Sequence, residues 1–195
     1  MKRGSILWGV VASVLSALLW VLSIPPFEFA EAAYIAFVPV FLWLWTAPAY
    51  RWVALWGFLT GWTSWCAILI WLRHVTYFGT LALSAILGVI FMLWLLWSAW
   101  LIARLEGRPF LLRALGYLGI AGAWVVFEWV RTWLFWGFPW APLALSQWER
   151  PVVLQIAAWT GAYGVSFLLV LFSACVAGTL RSRIAGSRGK LWTGW

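Results

Sequence analysis

Six long apolar runs divide the sequence, and they constrain the fold more than any other feature. A membrane-spanning helix needs ~20 mostly apolar residues, and the runs lie at about 5–23, 32–47, 53–72, 80–103, 114–135 and 156–180. Only 9% of the residues are charged, whereas about 25% are charged in a typical water-soluble domain. We therefore predict an all-α polytopic transmembrane helix bundle with about six spans, formed as a single transmembrane domain by residues 1–195.

The basic residues predict how the bundle is oriented. Lys and Arg near the ends of spans remain on the cytoplasmic side of a membrane. With the N-terminus inside, ten basic residues fall inside and three outside, which accounts for all 13. We therefore expect both termini in the cytoplasm and the functional face on the extracytoplasmic side. In so apolar a chain the formal charge of +8 reflects loop topology, and no nucleic-acid partner is expected.

Local signals refine the spans. Pro39 should kink the second span, and the Gly57-x-x-x-Gly61 pattern favours close helix packing by the third. Residues 181–195 read as a basic loop followed by the possible start of a truncated seventh span, because Leu191 and Trp192 return to apolar sequence.

Glu128 and Arg131 form the first candidate site. They lie three residues apart on one helix face in the fifth span, where charges are costly and are usually paired. One interpretation is an ion pair that pins the helix end. The other is a polar contact for a lipid head group or a partner domain, in which Arg131 binds phosphate and Glu128 orients it.

The segment after this span is the second candidate. Gly137, Pro139 and further prolines make it irregular, so it must lie at the head-group level or be covered by protein. It could be a plain aromatic belt that includes Trp140. It could instead form the rim of a lipid-entry cavity, with Ser146 and Gln147 as its hydrogen-bonding groups.

The residues offer no catalytic or metal-binding arrangement. One His, two Cys and no Asp are too few for a protein metal site of three or four ligands. We interpret His74 as structural and Cys66 and Cys175 as small core residues, so no catalytic residue, metal or cofactor is predicted.

The motifs of the second half nevertheless resemble those of one family. The membrane region of the apolipoprotein N-acyltransferases is similar to this chain in Glu128-x-x-Arg131, Gly137-Phe138-Pro139-Trp140, Ser146-Gln147 and Gly161-x-Tyr163-Gly164-x-Ser166-Phe167-Leu168. Upstream, the resemblance extends to Leu22–Phe27 and to Trp71 with the Phe78-Gly79 turn. Ala144 is a departure, because the family often has Gly at that position.

This resemblance implies a function in lipoprotein maturation. Enzymes of the family transfer an acyl chain from phospholipid to the N-terminal diacylglyceryl-cysteine of a lipoprotein, through a thioester on a catalytic Cys. Their Glu, Lys and Cys triad belongs to a nitrilase-like domain that these 195 residues do not contain. The chain is therefore expected to anchor and position lipid substrates in a bacterial inner membrane, with that domain supplied in cis or in trans.

The resemblance also implies a lipid- or substrate-binding set, which comprises Trp71, Glu128, Arg131, Gly137, Phe138, Pro139, Trp140, Ser146 and Gln147. Two alternatives remain open. One is a non-enzymatic anchor for a partner glycosyltransferase, as in polyprenol-phosphomannose synthases. The other is a small transporter that uses Glu128, which the lack of an inverted repeat disfavours.

Overall fold

All regular structure in the described residues is helical. A computed structural model describes residues 3–134 and 137–192, with side chains from 7 to 185 within these ranges. The α-helices are α1 (Arg3–Ser23), α2 (Ala32–Ile35), α3 (Val38–Leu44), α4 (Tyr50–Ile68), α5 (Tyr77–Leu105), α6 (Phe110–Arg131), α7 (Pro151–Leu154) and α8 (Ala157–Trp192). Two 3-10 helices cover Ile70–His74 and Leu143–Gln147. These ranges contain no strand, and the predicted all-α class is confirmed.

Three of the helices are long and apolar enough to cross a bilayer. They are α5, α6 and the Ala157–Ala185 part of α8. The apolar stretches Leu7–Ser23 and Ala32–Leu44 are shorter. The chain is thus a membrane protein of the helix-bundle class, while the count of six spans and the cytoplasmic position of both termini stay predictions.

The second apolar run is broken where a kink is predicted. It forms α2 and α3, and Pro39 lies in the first turn of α3, where a missing backbone N–H costs no helical hydrogen bond. Ala36 and Phe37, between the two helices, are fully buried. Irregular backbone is tolerated at membrane depth when protein covers it, and this break meets that condition.

Helices α4 and α5 approach at backbone distance, as the glycine pattern predicts. A Cβ atom added at Gly61 would lie 2.7 Å from the Cβ of Phe91 and 3.0 Å from the Cα of Gly88. Helix α5 begins at Tyr77 because the Thr76 hydroxyl caps it, accepting a hydrogen bond from the Gly79 N–H at 3.2 Å. This cap places the start of the helix before residue 80, where hydropathy alone predicts it.

The C-terminal segment differs from the predicted basic loop. After a kink at Gly161 (φ 64°), α8 continues through Trp192, and Arg181 pairs with Glu106 at 3.2 Å. The expected start of a seventh span falls partly on residues 193–195, which lie outside the described residues.

An aromatic core lies where α1, α3, α4, α5 and α6 meet. It consists of Trp20, Phe37, Trp65, Phe91, Trp94 and Trp124. The rings of Trp94 and Trp124 have centroids 4.7 Å apart in an edge-to-face arrangement, a geometry that stabilises beyond area burial. Five of these rings also border a small cavity beside Glu128 and Arg131, so the core supports the polar residues at the end of α6.

Candidate functional site

Glu128 and Arg131 are both buried, about one turn apart at the end of α6. Their exposed fractions are 5% and 4%. The closest approach between them, from Arg131 Nη2 to Glu128 Oε1, is 4.0 Å. This distance is long for an ion pair, and each charged group makes a closer contact elsewhere.

Those closer contacts go to the backbone of the loop that follows α6. Glu128 Oε1 accepts a hydrogen bond from the Leu143 N–H at 2.7 Å. Arg131 Nη1 donates to the carbonyl oxygens of Trp140 and Phe138. The two ions therefore hold the 137–147 loop from inside the protein, and Arg131 points toward this irregular segment as the sequence predicts.

Aromatic and polar side chains surround this pair. The Arg131 guanidinium carbon lies 5.0 Å from the centroid of the Trp65 ring, within the range of a cation–π contact. Glu128 Oε2 makes no hydrogen bond of ordinary geometry in the described structure, and the polar side chains of Trp124 and Ser166 lie beside the carboxylate.

A tight reversal starts the 137–147 loop. Gly137 has φ +79°, and its N–H donates to the Leu134 carbonyl at 3.0 Å. The next N–H, of Phe138, donates to the Arg131 carbonyl at 2.8 Å. Because a positive φ is unfavourable for residues with a Cβ atom, glycine suits this turn.

Ser146 and Gln147 do not form the rim of a lipid-entry cavity. Their exposed fractions are 3% and 1%. Ser146 Oγ donates to the Leu143 carbonyl at 2.7 Å, and Gln147 Nε2 donates to the Ala30 carbonyl at 2.9 Å. The Tyr34 hydroxyl adds a long bond to Gln147 Oε1 at 3.4 Å. Gln147 thus connects the loop to the chain just before α2, and Ser146 makes its hydrogen bonds within the loop.

Ser166 is a further residue that holds the loop, and sequence reasoning missed its role. It is fully buried in α8, and its Oγ accepts a hydrogen bond from the Ala144 N–H at 3.0 Å. The signal available in the sequence was a hydroxyl within the apolar run of α8, but that signal does not identify the partner.

The outward side of the loop is aromatic. Trp140 is 58% exposed and Trp71 is 48% exposed, and their ring centroids are 5.7 Å apart. Trp71 comes from the 3-10 helix Ile70–His74, so two distant candidates meet in space. Pro139 is exposed beside them, and Phe138 is partly exposed.

An apolar groove of about 340 Å³ is lined in part by the first residues of this loop, Gly137 and Phe138. The other lining residues are aliphatic residues of α5 between Leu83 and Ile90, together with Leu134 and Arg131. Volumes of this order are typical of ligand sites. The site therefore combines a groove suited to hydrocarbon with an aromatic surface suited to the head-group layer.

A surface ion pair lies next to the same connection. Arg150 Nη2 and Glu31 Oε1 are 2.7 Å apart, and both side chains are well exposed. The hydrogen bond from Arg150 lowers the pKa of Glu31 below its ordinary value. An exposed pair of this kind adds little stability.

No metal-ligating cluster occurs among the described residues, in which no three His, Cys, Asp or Glu side chains come together. Cys66 in α4 is partly exposed and Cys175 in α8 is exposed, so the interpretation of both as core residues is wrong, and the two thiols are unpaired. The polar groups of the site are those of the 137–147 loop and of Glu128, Arg131 and Ser166, which bind it.

The fold and this site define an integral membrane helix bundle with an apolar site at one end of its helices. Residues 16–175 match the family model described as the apolipoprotein N-acyltransferase N-terminal domain. The chain therefore belongs to the apolipoprotein N-acyltransferase family, and the resemblance seen in its motifs is confirmed.

Curated relatives give the same family. The chain is 35% identical over 166 residues to the apolipoprotein N-acyltransferase of Geobacter metallireducens, covering 82% of this chain and 31% of that protein. It is 30% identical over 178 residues to apolipoprotein N-acyltransferase 1 of Treponema denticola, covering 88% and 31%. A third relative, from Methylococcus capsulatus, is 33% identical over 170 residues, covering 80% and 32%. The chain thus spans about a third of the length of the curated relatives it matches.

Proposed function

We propose that this chain is the membrane portion of an apolipoprotein N-acyltransferase, which moves an acyl chain from phospholipid to the N-terminal diacylglyceryl-cysteine of lipoproteins. The observation that carries the proposal is the apolar groove between α5 and α6, which Gly137 and Phe138 of the 137–147 loop also line. Both substrates of such a reaction carry long acyl chains, and an apolar groove open toward lipid suits them.

In this proposal the chain supplies anchoring and substrate positioning, the proximity part of catalysis. Trp71, Phe138, Pro139 and Trp140 form the surface that lipid contacts. Arg131 acts on lipid through the loop, because its guanidinium donates to loop carbonyls and is only 4% exposed.

The remaining candidates hold that surface in place. Glu128, Ser146 and Gln147 bind loop backbone or neighbouring chain, and Gly137 provides the turn. We further propose that a nitrilase-like domain, in cis or in trans, supplies the acyl-enzyme chemistry, since a thioester needs an activated thiolate with a base and an oxyanion stabiliser. The site then lies on the extracytoplasmic face of a bacterial inner membrane.

Reporter fusions test the proposed orientation. The distribution of Lys and Arg predicts cytoplasmic signals for fusions after Ala47, Arg104 and Arg183, and extracytoplasmic signals for fusions near Phe29, Phe78 and Trp148. The assay compares a periplasmically active with a cytoplasmically active reporter at each position. A cytoplasmic signal at Trp148 would place the loop on the wrong side of the membrane for this function.

Acyl transfer tests the function itself. The chain is joined to the remaining two thirds of the Geobacter metallireducens relative, and acylation of a diacylglyceryl peptide by phospholipid is measured in membranes. We expect activity, and we expect Trp140→Ala to lower kcat/KM about tenfold, the effect of losing roughly 1.4 kcal/mol of aromatic contact.

Trp159→Ala is the matched control, because Trp159 is 92% exposed and lies outside the loop. It should keep full activity. Equal activity of the two variants would show that Trp140 does not contribute to the lipid-contacting surface. An inactive fusion, with the chain instead copurifying with a glycosyltransferase, would favour the anchor function.

A further inference from the structure

A second groove lies at the opposite end of α6, between α6 and α8. It measures about 330 Å³, and Arg113 and Thr179 border it together with apolar residues such as Phe110, Leu118 and Leu171. Arg113 precedes Arg131 by 18 residues, which corresponds to about 27 Å along a helix axis. This groove is therefore separate from the site at the 137–147 loop.

Arg113 is a cation without a counter-charge in the part of the chain that the structure describes. Its Nε is buried and has no hydrogen-bond partner. None of the ion pairs formed by the described residues involves Arg113, and the nearby Glu106 is paired with Arg181 at 3.2 Å. A guanidinium offers a planar set of donors that matches the oxygens of a phosphate.

The surroundings of Arg113 increase the positive potential at this groove. Arg104 lies in the last turn of α5, and Arg108 lies in the short loop between α5 and α6. The first turn of α6 has no side-chain cap, so its free N–H groups and the helix dipole also favour an anion there.

The floor and walls of the groove suit hydrocarbon. The Tyr117 hydroxyl and ring lie directly against Gly178, where a Cβ atom would not fit, and both residues line the groove. The Thr179 hydroxyl is already used, because it donates to the Cys175 carbonyl at 2.9 Å. Arg113 is thus the cationic group that borders an otherwise largely apolar trough.

We propose that this groove binds one anionic phospholipid, with its phosphate on Arg113 and an acyl chain between α6 and α8. The local excess of positive charge favours a head group with net negative charge over a zwitterionic one, as is usual for basic pockets between membrane helices. The bound lipid is a structural ligand, distinct from the substrates of the proposed acyl transfer.

Native mass spectrometry of the purified full chain tests this proposal. The chain is titrated in detergent with phosphatidylglycerol or with phosphatidylcholine of the same acyl composition. We expect one phosphatidylglycerol to bind on the order of tenfold more tightly than phosphatidylcholine, and Arg113→Gln to abolish the difference.

Arg183→Gln is the matched control, since it removes the same charge from the same end of the bundle at an exposed position outside the groove. It should keep the preference for phosphatidylglycerol. Equal affinity for the two lipids, or equal losses in the two variants, would show general attraction by surface charge and overturn the proposal.

A second variant tests the acyl chain. Ala114→Phe fills the trough and keeps Arg113, and it should weaken phosphatidylglycerol binding several-fold. Glycerol 3-phosphate serves as the probe for the head group alone and should not displace the lipid. Displacement by this probe would mean that the site takes a free phosphate instead. Full lipid binding by Ala114→Phe would mean that no acyl chain occupies the trough, which would also overturn the proposal. A cooperative thermal transition like that of the parent chain verifies folding of each variant.

Discussion

Replacing Arg131 by Leu is expected to lower the free energy of unfolding by about 3–5 kcal/mol, the usual effect of removing one partner of a buried charge pair. The substitution leaves the Glu128 carboxylate buried without its cation, and it leaves the carbonyls of Phe138 and Trp140 without their donor. Loss of helical circular dichroism during denaturation in detergent measures the change.

A double-mutant cycle separates the charge from the loop contacts. Glu128→Gln keeps an acceptor for the Leu143 N–H, but it leaves the buried Arg131 guanidinium without its counter-charge, so it should also cost about 3–5 kcal/mol. The double variant Glu128→Gln with Arg131→Leu should be more stable than Arg131→Leu alone, because no buried charge remains unpaired. If the two Arg131 variants were equally stable, the charge of Glu128 would not contribute and the loss would come from the loop carbonyls.

Replacing Gly137 by Ala is expected to destabilise the 137–147 loop by about 2–4 kcal/mol. The φ of +79° is unfavourable for Ala, and the added Cβ atom would clash with the Thr132 carbonyl oxygen. Because that oxygen is backbone, it cannot move aside without distorting the end of α6. Limited proteolysis within the loop, followed as a rate, should show faster cleavage.

Two other glycines provide the controls for Gly137. Gly161 also has a positive φ, 64°, but its Cβ position is open, so Gly161→Ala carries the backbone cost without the clash. Gly122 lies within α6 in open space, and Gly122→Ala should be neutral or slightly stabilising. Cleavage of Gly137→Ala no faster than that of Gly161→Ala would show that the close contact with Thr132 does not hold the loop.

The sequence predicts the helical class and the shared face of Glu128 and Arg131 because both depend on local periodicity. Hydropathy locates the apolar runs, and a charged side chain within such a run is costly unless it is paired and faces protein. The burial of this pair and its direction toward the loop can therefore be deduced. The break near Pro39 and the contact at Gly61 follow from backbone chemistry of single residues.

The partners of Ser146 and Gln147 could not be predicted from the sequence. Gln147 binds the carbonyl of Ala30, which lies 117 residues earlier in the chain, and such a pairing depends on how α2 packs against the loop. A polar residue in an irregular segment suggests exposure, yet here the loop backbone needs internal partners because several of its groups are buried. The meeting of Trp71 with Trp140 is non-local in the same way.

The inward attachment of the 137–147 loop has a consequence for how molecules reach the groove beside it. Side chains of α6 and α8 bind the loop through Leu143, Ala144 and Trp140, and Gln147 binds the Ala30 carbonyl. The two bonds made by Glu128 and Arg131 are worth about 1.5–3 kcal/mol each and the other two about 1 kcal/mol each, so opening the loop would leave fewer than about one molecule in a thousand open. A gate with so small an open population would slow every entry. Access is therefore expected to come by lateral diffusion within the bilayer between α5 and α6, while the loop remains closed.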